Sequence, residues 1–148
     1  MPYTYKRDEV SRYTFISVGK SRIIKEVKFD TTPEPNVYYL AFGDLLEDGS
    51  MDDMANSNNG DMVKVMATLV AILKDFLAWY PHATVYFRGS TPTRTALYNR
   101  ILRMHYEMFT KEYVVIALID DNSIVFKEEV YNPSSGGNCV GFYIKTIV

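Results

Sequence analysis

The densest chemistry in the chain lies in Arg88-Gly89-Ser90-Thr91-Pro92-Thr93-Arg94-Thr95-Ala96-Leu97-Tyr98-Asn99-Arg100. Before it, His82-Ala83-Thr84-Val85-Tyr86-Phe87-Arg88 alternates as a strand does, and Pro92 suits the first position of a helix. At such a turn the first helical amides lack partners within the helix, and with the helix dipole they make an anion site. Gly89 lets the backbone come close to a ligand, Ser90, Thr91 and Thr93 add hydroxyl donors, and Arg88 and Arg94 supply bidentate charge. Arg94, Tyr98 and Ile101 fall on one helical ridge, so an arginine and a tyrosine hydroxyl can flank one ligand. From 88 to 111 five basic residues (Arg88, Arg94, Arg100, Arg103, Lys111) meet only Glu107, a local balance of +4. The same signals also fit a helix start with a purely structural role, with Arg88 pairing with acids elsewhere. Neither Gly-x-x-x-x-Gly-Lys-Ser/Thr nor Gly-x-Gly-x-x-Gly is present, so nucleotide binding is not implied.

Other constellations carry less. Six carboxylates (Asp44, Glu47, Asp48, Asp52, Asp53, Asp61) fall between 44 and 61 with no Lys or Arg, alongside Asn56-Ser57-Asn58-Asn59-Gly60, which predicts a mobile acidic loop. An EF-hand starting at Asp44 fails where Leu46 and Ala55 stand in place of oxygen ligands. A looser magnesium site needs acids at strand ends. Asp44 and Asp120 meet that condition, but the strand before the helix ends in Arg88. His82 and His105 lack partners at ligand spacing, so both read as structural and no metal site is assigned. Cys139 opens an alternating strand and reads as a buried, inert thiol. Ser134-Ser135-Gly136-Gly137-Asn138 reads as a flexible connection within a loop over 131–138. Tyr38, Tyr39 and Trp79 read as core or sheet-face residues, whereas Tyr3, Tyr5 and Tyr13 stack on a partner or cover a sheet edge. Tyr86, Arg88, Arg94 and Tyr98 interleave aromatics with charge, as single-stranded nucleic acid requires, without a recognised RNA-binding signature.

The elements that must position these groups follow from periodicity. Tyr13–Val18 and Arg22–Phe29 alternate around Gly19-Lys20 as a hairpin, with Ile23, Val27 and Phe29 sharing a face with Lys25. Val37 to Gly43 is apolar on both faces, as a central strand is. Met62, Val65, Met66, Leu69, Ile72, Leu73, Phe76 and Tyr80 recur at helical steps, with Lys64, Thr68, Ala71 and Asp75 opposite. Asn59 or Asp61 can cap that helix and Pro81 stops it. A second helix carries Leu97, Ile101, Leu102, His105 and Met108. Strands then follow at Tyr113–Asp120, Ser123–Val130 and around Val140, Phe142 and Ile144, with Asp121-Asn122 as the turn between the first two. The order βββ-α-β-α-βββ predicts one α+β domain over 1–148, with a mixed sheet and two main helices packed on it. Its third and fourth strands are joined by a helix and therefore run parallel.

At 148 residues, with 47% apolar and 23% charged residues, the chain is large enough to fold around a core and excludes a disordered or collagenous protein. A lone cysteine excludes an intrachain disulfide. The N-terminus has no apolar signal core and no stretch reaches the ~18 residues of a membrane span, so a cytoplasmic location and no membrane partner are expected. A net charge of −2 gives no global reason to expect nucleic acid.

The order from residue 13 to 105 is similar in topology to the opening of the ribonuclease H-like fold. The Arg-Gly-Ser turn leading into a Thr-Arg-Thr-x-Leu-Tyr helix, after an acidic loop and a long apolar helix, resembles a family of small uncharacterised bacterial proteins known only as a domain of unknown function. The specific part is Phe87 to Leu102. The resemblance implies a standalone bacterial protein and brings no catalytic residue or cofactor. Three functions are compatible with these residues. The first, favoured over an enzyme, is a binding module whose 88–100 turn takes a phosphate or carboxylate from a small ligand, a nucleic acid or a protein. The second is a metal-dependent phosphodiester hydrolase of ribonuclease H-like topology using Asp44. The third is a structural protein that forms a homodimer through a strand edge or a tyrosine-rich face.

Overall fold

The computed structural model of the chain describes residues 2–9, 11–52, 59–89, 91–120, 122, 124–134 and 139–147. Its elements are β1 (Tyr5–Glu9), β2 (Arg12–Val18), β3 (Arg22–Thr31), β4 (Val37–Leu45), β5 (Met51–Asp52), α1 (Met62–Trp79), β6 (Thr84–Phe87), α2 (Pro92–Met104), α3 (Tyr106–Glu112), β7 (Tyr113–Ile119), β8 (Lys127–Val130) and β9 (Cys139–Thr146). The class is α+β, with parallel and antiparallel strand pairs, and the chain divides into two compact units, 1–30 with 40–80 and 31–39 with 81–148.

In the first unit the strands run β1-β2-β3-β4, with β5 paired on β4. The β2–β3 hairpin sets Tyr13 opposite Val27, Phe15 opposite Lys25 and Ser17 opposite Ile23. Alternation therefore turns Tyr13, Phe15, Val27, Phe29 and Lys25 to one face. Helix α1 covers that face, and Phe29 stacks on Phe76 at 3.9 Å between ring centroids. Burying each such side chain contributes about 1.5–3 kcal/mol. The helix ends at Trp79, ahead of Pro81, as the sequence predicts.

Several expectations change here. The cap foreseen for α1 is not made. Asp61 stands at the N-cap position without a capping bond and instead accepts the hydroxyls of Tyr3 (2.6 Å) and Ser17. Asn59 is buried and clamps the hairpin turn: its amide donates to the Ser21 carbonyl (2.8 Å) and the Ser17 hydroxyl (3.0 Å), and its side-chain oxygen accepts from the Ser21 amide (2.8 Å). Gly19 is required at this turn because a Cβ there would overlap the Asn59 carbonyl. The acidic stretch is partly ordered, since β5 pairs Asp52 with Asp44 through a turn closed by Leu46 and Ser50. Asp53 and Asn56 to Asn58 lie outside the described residues.

Thr68, expected on the polar stripe, is fully buried. It donates to the Lys64 carbonyl (2.7 Å) and accepts from the Tyr3 amide (2.8 Å). Trp79, expected in the core or on a sheet face, is 60% exposed under the Arg7 guanidinium, 4.2 Å from its ring centroid. Tyr3 stacks on Phe15 at 5.8 Å, and β1, carrying Tyr5, covers the edge of β2.

Tyr13 is fully buried and donates its hydroxyl to Asp75 at 2.7 Å. Burial first, and then the Asp75 hydrogen bond, push its phenol well above the ordinary tyrosine value. A pKa raised on folding stabilises the fold fully below the unfolded pKa of about 10, and the contribution is lost as pH climbs from there toward the folded pKa. Tyr13→Phe is expected to cost about 1–2 kcal/mol at neutral pH. It should also make the fall in stability above about pH 10 shallower, which urea unfolding at pH 7 to 11 would measure.

In the second unit the first residues of β4 border β6, and the order continues β6-β9-β7-β8. The Thr84 amide donates to the Asn36 carbonyl (2.8 Å), and further along Tyr39 meets Tyr86 (5.8 Å between rings) and donates to the Arg88 carbonyl (3.3 Å). These contacts advance together along both strands, so β4 and β6 run parallel, as the intervening helix predicts. β9 pairs antiparallel with both β6 and β7 and carries the fully buried Phe142 and Ile144. Helix α2 packs on β9 and α3 on β7. The single helix expected after Pro92 is two: it breaks at His105, and the buried residue beyond the break is Phe109 rather than Met108. β8 is shorter than expected, starting at Lys127, and Ile124 and Val125 before it are exposed.

Candidate functional site

Because β9 is antiparallel to both β6 and β7, those two strands run the same way and both end where β9 begins. Arg88 follows the end of β6, Asp120 follows the end of β7, Cys139 opens β9, and α2 starts from the same edge. A cavity of 610 Å³ opens there, lined by Arg88, Gly89, Thr91, Asn99, Asp120 and Cys139 among others. Crevices at the carboxyl ends of strands in sheets carrying helices are the usual place for a ligand.

The helix start is largely satisfied from within. Thr91 caps α2 by accepting the Arg94 amide (3.2 Å), and its carbonyl takes the Thr95 amide (3.1 Å). The Thr95 hydroxyl accepts from the Gly89 amide (3.2 Å) and donates to the Thr91 carbonyl (3.3 Å), so its one donor is engaged. Among the described residues the Thr91 hydroxyl uses only its acceptor side, which leaves its O–H as a donor. Tyr131, 3% exposed, donates to the Asn99 side-chain oxygen (3.1 Å), which leaves the Asn99 NH2 as the donating end. Burial above all raises the Tyr131 pKa, so its phenol stays a donor.

Arg88 is exposed and lies over the Phe126 ring at 5.7 Å; among the described residues it forms no ion pair. Asp120 accepts the Asn122 amide through one carboxylate oxygen (3.0 Å), in a turn where Asn122 takes a left-handed φ of 68°. Arg88 and Asp120 thus line one cavity without pairing with each other.

Of the residues singled out in the sequence, Arg88, Gly89 and Thr91 come together at this cavity. Thr93 is exposed and is not among its lining residues. Arg94 and Tyr98 lie on the buried face of α2, with Tyr98 edge-on to Phe87 at 5.4 Å. Ser90 lies outside the described residues, as do Asp121, Ser123 and Ser135 to Asn138. Gly89 is needed, but by the helix: a Cβ there would lie 2.5 Å from the Arg94 carbonyl carbon and closer still to the Thr95 amide. Tyr86 alternates with Phe87 along the strand, so it stands on the opposite side of β6 from Tyr98. Tyr86 neighbours Tyr39 and Tyr143 instead. Asn99 and Asp120 were not assigned to this site from the sequence; only their arrival at one strand edge reveals them.

The other constellations resolve differently. Asp44, the acid on which the magnesium reading rested, forms an ion pair with Lys25 in which the two side chains are 14% and 7% exposed, so its charge is already engaged. His82 is exposed, and His105 marks the α2–α3 break with its ring edge-on to Phe109. Cys139 is half-buried rather than buried, and burial, followed by the Glu129 charge, pushes its thiol up, away from the reactive thiolate. A hollow of 720 Å³ at the α2–α3 break is lined by Arg103 and Lys111 together with Glu107 and Glu112.

The fold and this edge define an α+β protein with a polar cavity where two strands and a self-capped helix meet. The chain belongs to a family of unknown function (DUF6934), whose model matches residues 1–146. No curated protein and no solved structure matches it. No helix among the described residues is long and apolar enough to cross a membrane.

Proposed function

We propose that the protein is a binding module whose cavity at the ends of β6 and β7 receives the anionic group, phosphate or carboxylate, of a ligand. The observation that carries this reading is a 610 Å³ cavity lined by Arg88, which forms no ion pair among the described residues. The Thr91 hydroxyl and the Asn99 amide supply two further donors. A guanidinium and neutral donors converging on one space bind an oxyanion through charge-assisted hydrogen bonds. Gly89 serves by holding the turn against α2, and Tyr98 by packing that helix on Phe87 of β6.

Titrating the 15N-labelled protein with inorganic phosphate tests the proposal. Amide shifts are expected around Gly89, Thr91 and Asn99, and Arg88→Ala should weaken them about tenfold, the worth of one hydrogen bond to a charged group. Because Arg88 is exposed, the variant should keep the wild-type stability to within about 0.5 kcal/mol. Identical titrations of wild type and Arg88→Ala would exclude the site.

A further inference from the structure

The cavity is bipolar. Arg88 and Asp120 stand at the ends of two strands that run the same way, line the same space, and make no ion pair with each other. A bare anion drawn to Arg88 meets the Asp120 carboxylate as a like charge. A ligand that also carries hydrogen-bond donors turns that repulsion into attraction, because the Asp120 oxygen not engaged by Asn122 has no partner among the described residues and remains an acceptor. The space is far larger than an inorganic phosphate and falls in the size range of pockets that enclose whole small molecules. Three donors (Arg88, Thr91, Asn99), uncommitted among the described residues, and one carboxylate acceptor complement an oxyanion joined to a hydroxylated body.

Building on the anion-binding reading, we infer that the ligand is the monophosphate of a polyol or sugar. Arg88, Thr91 and Asn99 hold the phosphate, and Asp120 selects the ligand by accepting from its hydroxyl groups. Asp120 is then a specificity-determining residue, because it disfavours every anion that brings no donor to it.

The test compares two probes on the full chain by amide-shift titration: inorganic phosphate and ribose 5-phosphate. Wild type is expected to bind ribose 5-phosphate at least about tenfold more tightly than inorganic phosphate. In Asp120→Asn, which keeps the side-chain oxygen that accepts from Asn122, that ratio should fall toward one without loss of inorganic phosphate affinity. Equal affinities for the two probes in wild type overturn the inference while leaving the anion site standing. Absence of shifts with either probe overturns both. The wild-type comparison decides the matter even if the variant does not fold.

Discussion

Lys25→Ala is expected to destabilise the protein by about 3–5 kcal/mol, the cost of leaving one member of a buried ion pair without its partner. Lys25 sits on the face of β3 that α1 covers, between Ile23 and Val27, with its ammonium on the Asp44 carboxylate and 5.8 Å from the Phe42 ring centroid. Neither side chain can turn to water without breaking the packing around it, because only 7% of Lys25 and 14% of Asp44 is exposed. Asp44→Ala should cost about as much, for the same reason with the sign of charge reversed. The pair is not thereby a large net source of stability. Desolvating both charges offsets most of their attraction, so the double variant Lys25→Met/Asp44→Leu should recover most of what either single variant loses. Urea unfolding of the four proteins measures this coupling. Single variants within about 1 kcal/mol of wild type would show that solvent reaches the pair. Such a result would also reopen Asp44 as a group free to do other chemistry.

That pair shows what the sequence discloses and what it withholds. The placement of Lys25 on the apolar face of its strand is legible, because a period of two leaves no other side for it. Its partner is not, since Asp44 arrives through strand pairing and no local rule joins residues 25 and 44. The strands at 13–18, 22–29 and 113–120 and the helix over 62–79 were readable for the same reason, their buried positions repeating at the period of the element, and the strand at 37–43 by being apolar on both faces. Insertion of β9 between β6 and β7 is a long-range pairing, and the break at His105 carries neither proline nor glycine to announce it.

The candidate site divides in the same way. Helical spacing correctly sets Arg94, Tyr98 and Ile101 on one ridge, but the apolar Ile101 at its end marks that ridge as the buried one, a signal present in the sequence. The cavity instead takes Thr91, Thr95 and Asn99, the other side of α2, together with Asp120 and Cys139 from segments more than twenty residues away. Asn59 was read, with Asp61 as the alternative, as a helix cap because of its position before α1, whereas its bonds go to a hairpin turn some forty residues earlier.

Gly89→Ala is expected to lower stability by about 3 kcal/mol, at the upper end of what overpacking costs, and the thermal midpoint by roughly 10 °C for a chain of this length. The reason is contact with backbone rather than left-handed geometry. The added Cβ would press on the Thr95 amide and the Arg94 carbonyl carbon, neither of which can rotate away as a flexible side chain would. Relief would require the first turn of α2 to lift from β6. That would stretch the Gly89 amide bond to the Thr95 hydroxyl and draw Tyr98 off Phe87. The contrast with Arg88→Ala separates scaffold from recognition at adjacent residues: the alanine at 88 should cost affinity and leave the midpoint in place, and the alanine at 89 should move the midpoint. Differential scanning calorimetry of both variants makes the comparison. An unchanged midpoint in Gly89→Ala would mean that the turn is loose in solution, and the positions of Thr91 and Asn99 about the cavity would then no longer be fixed before a ligand arrives.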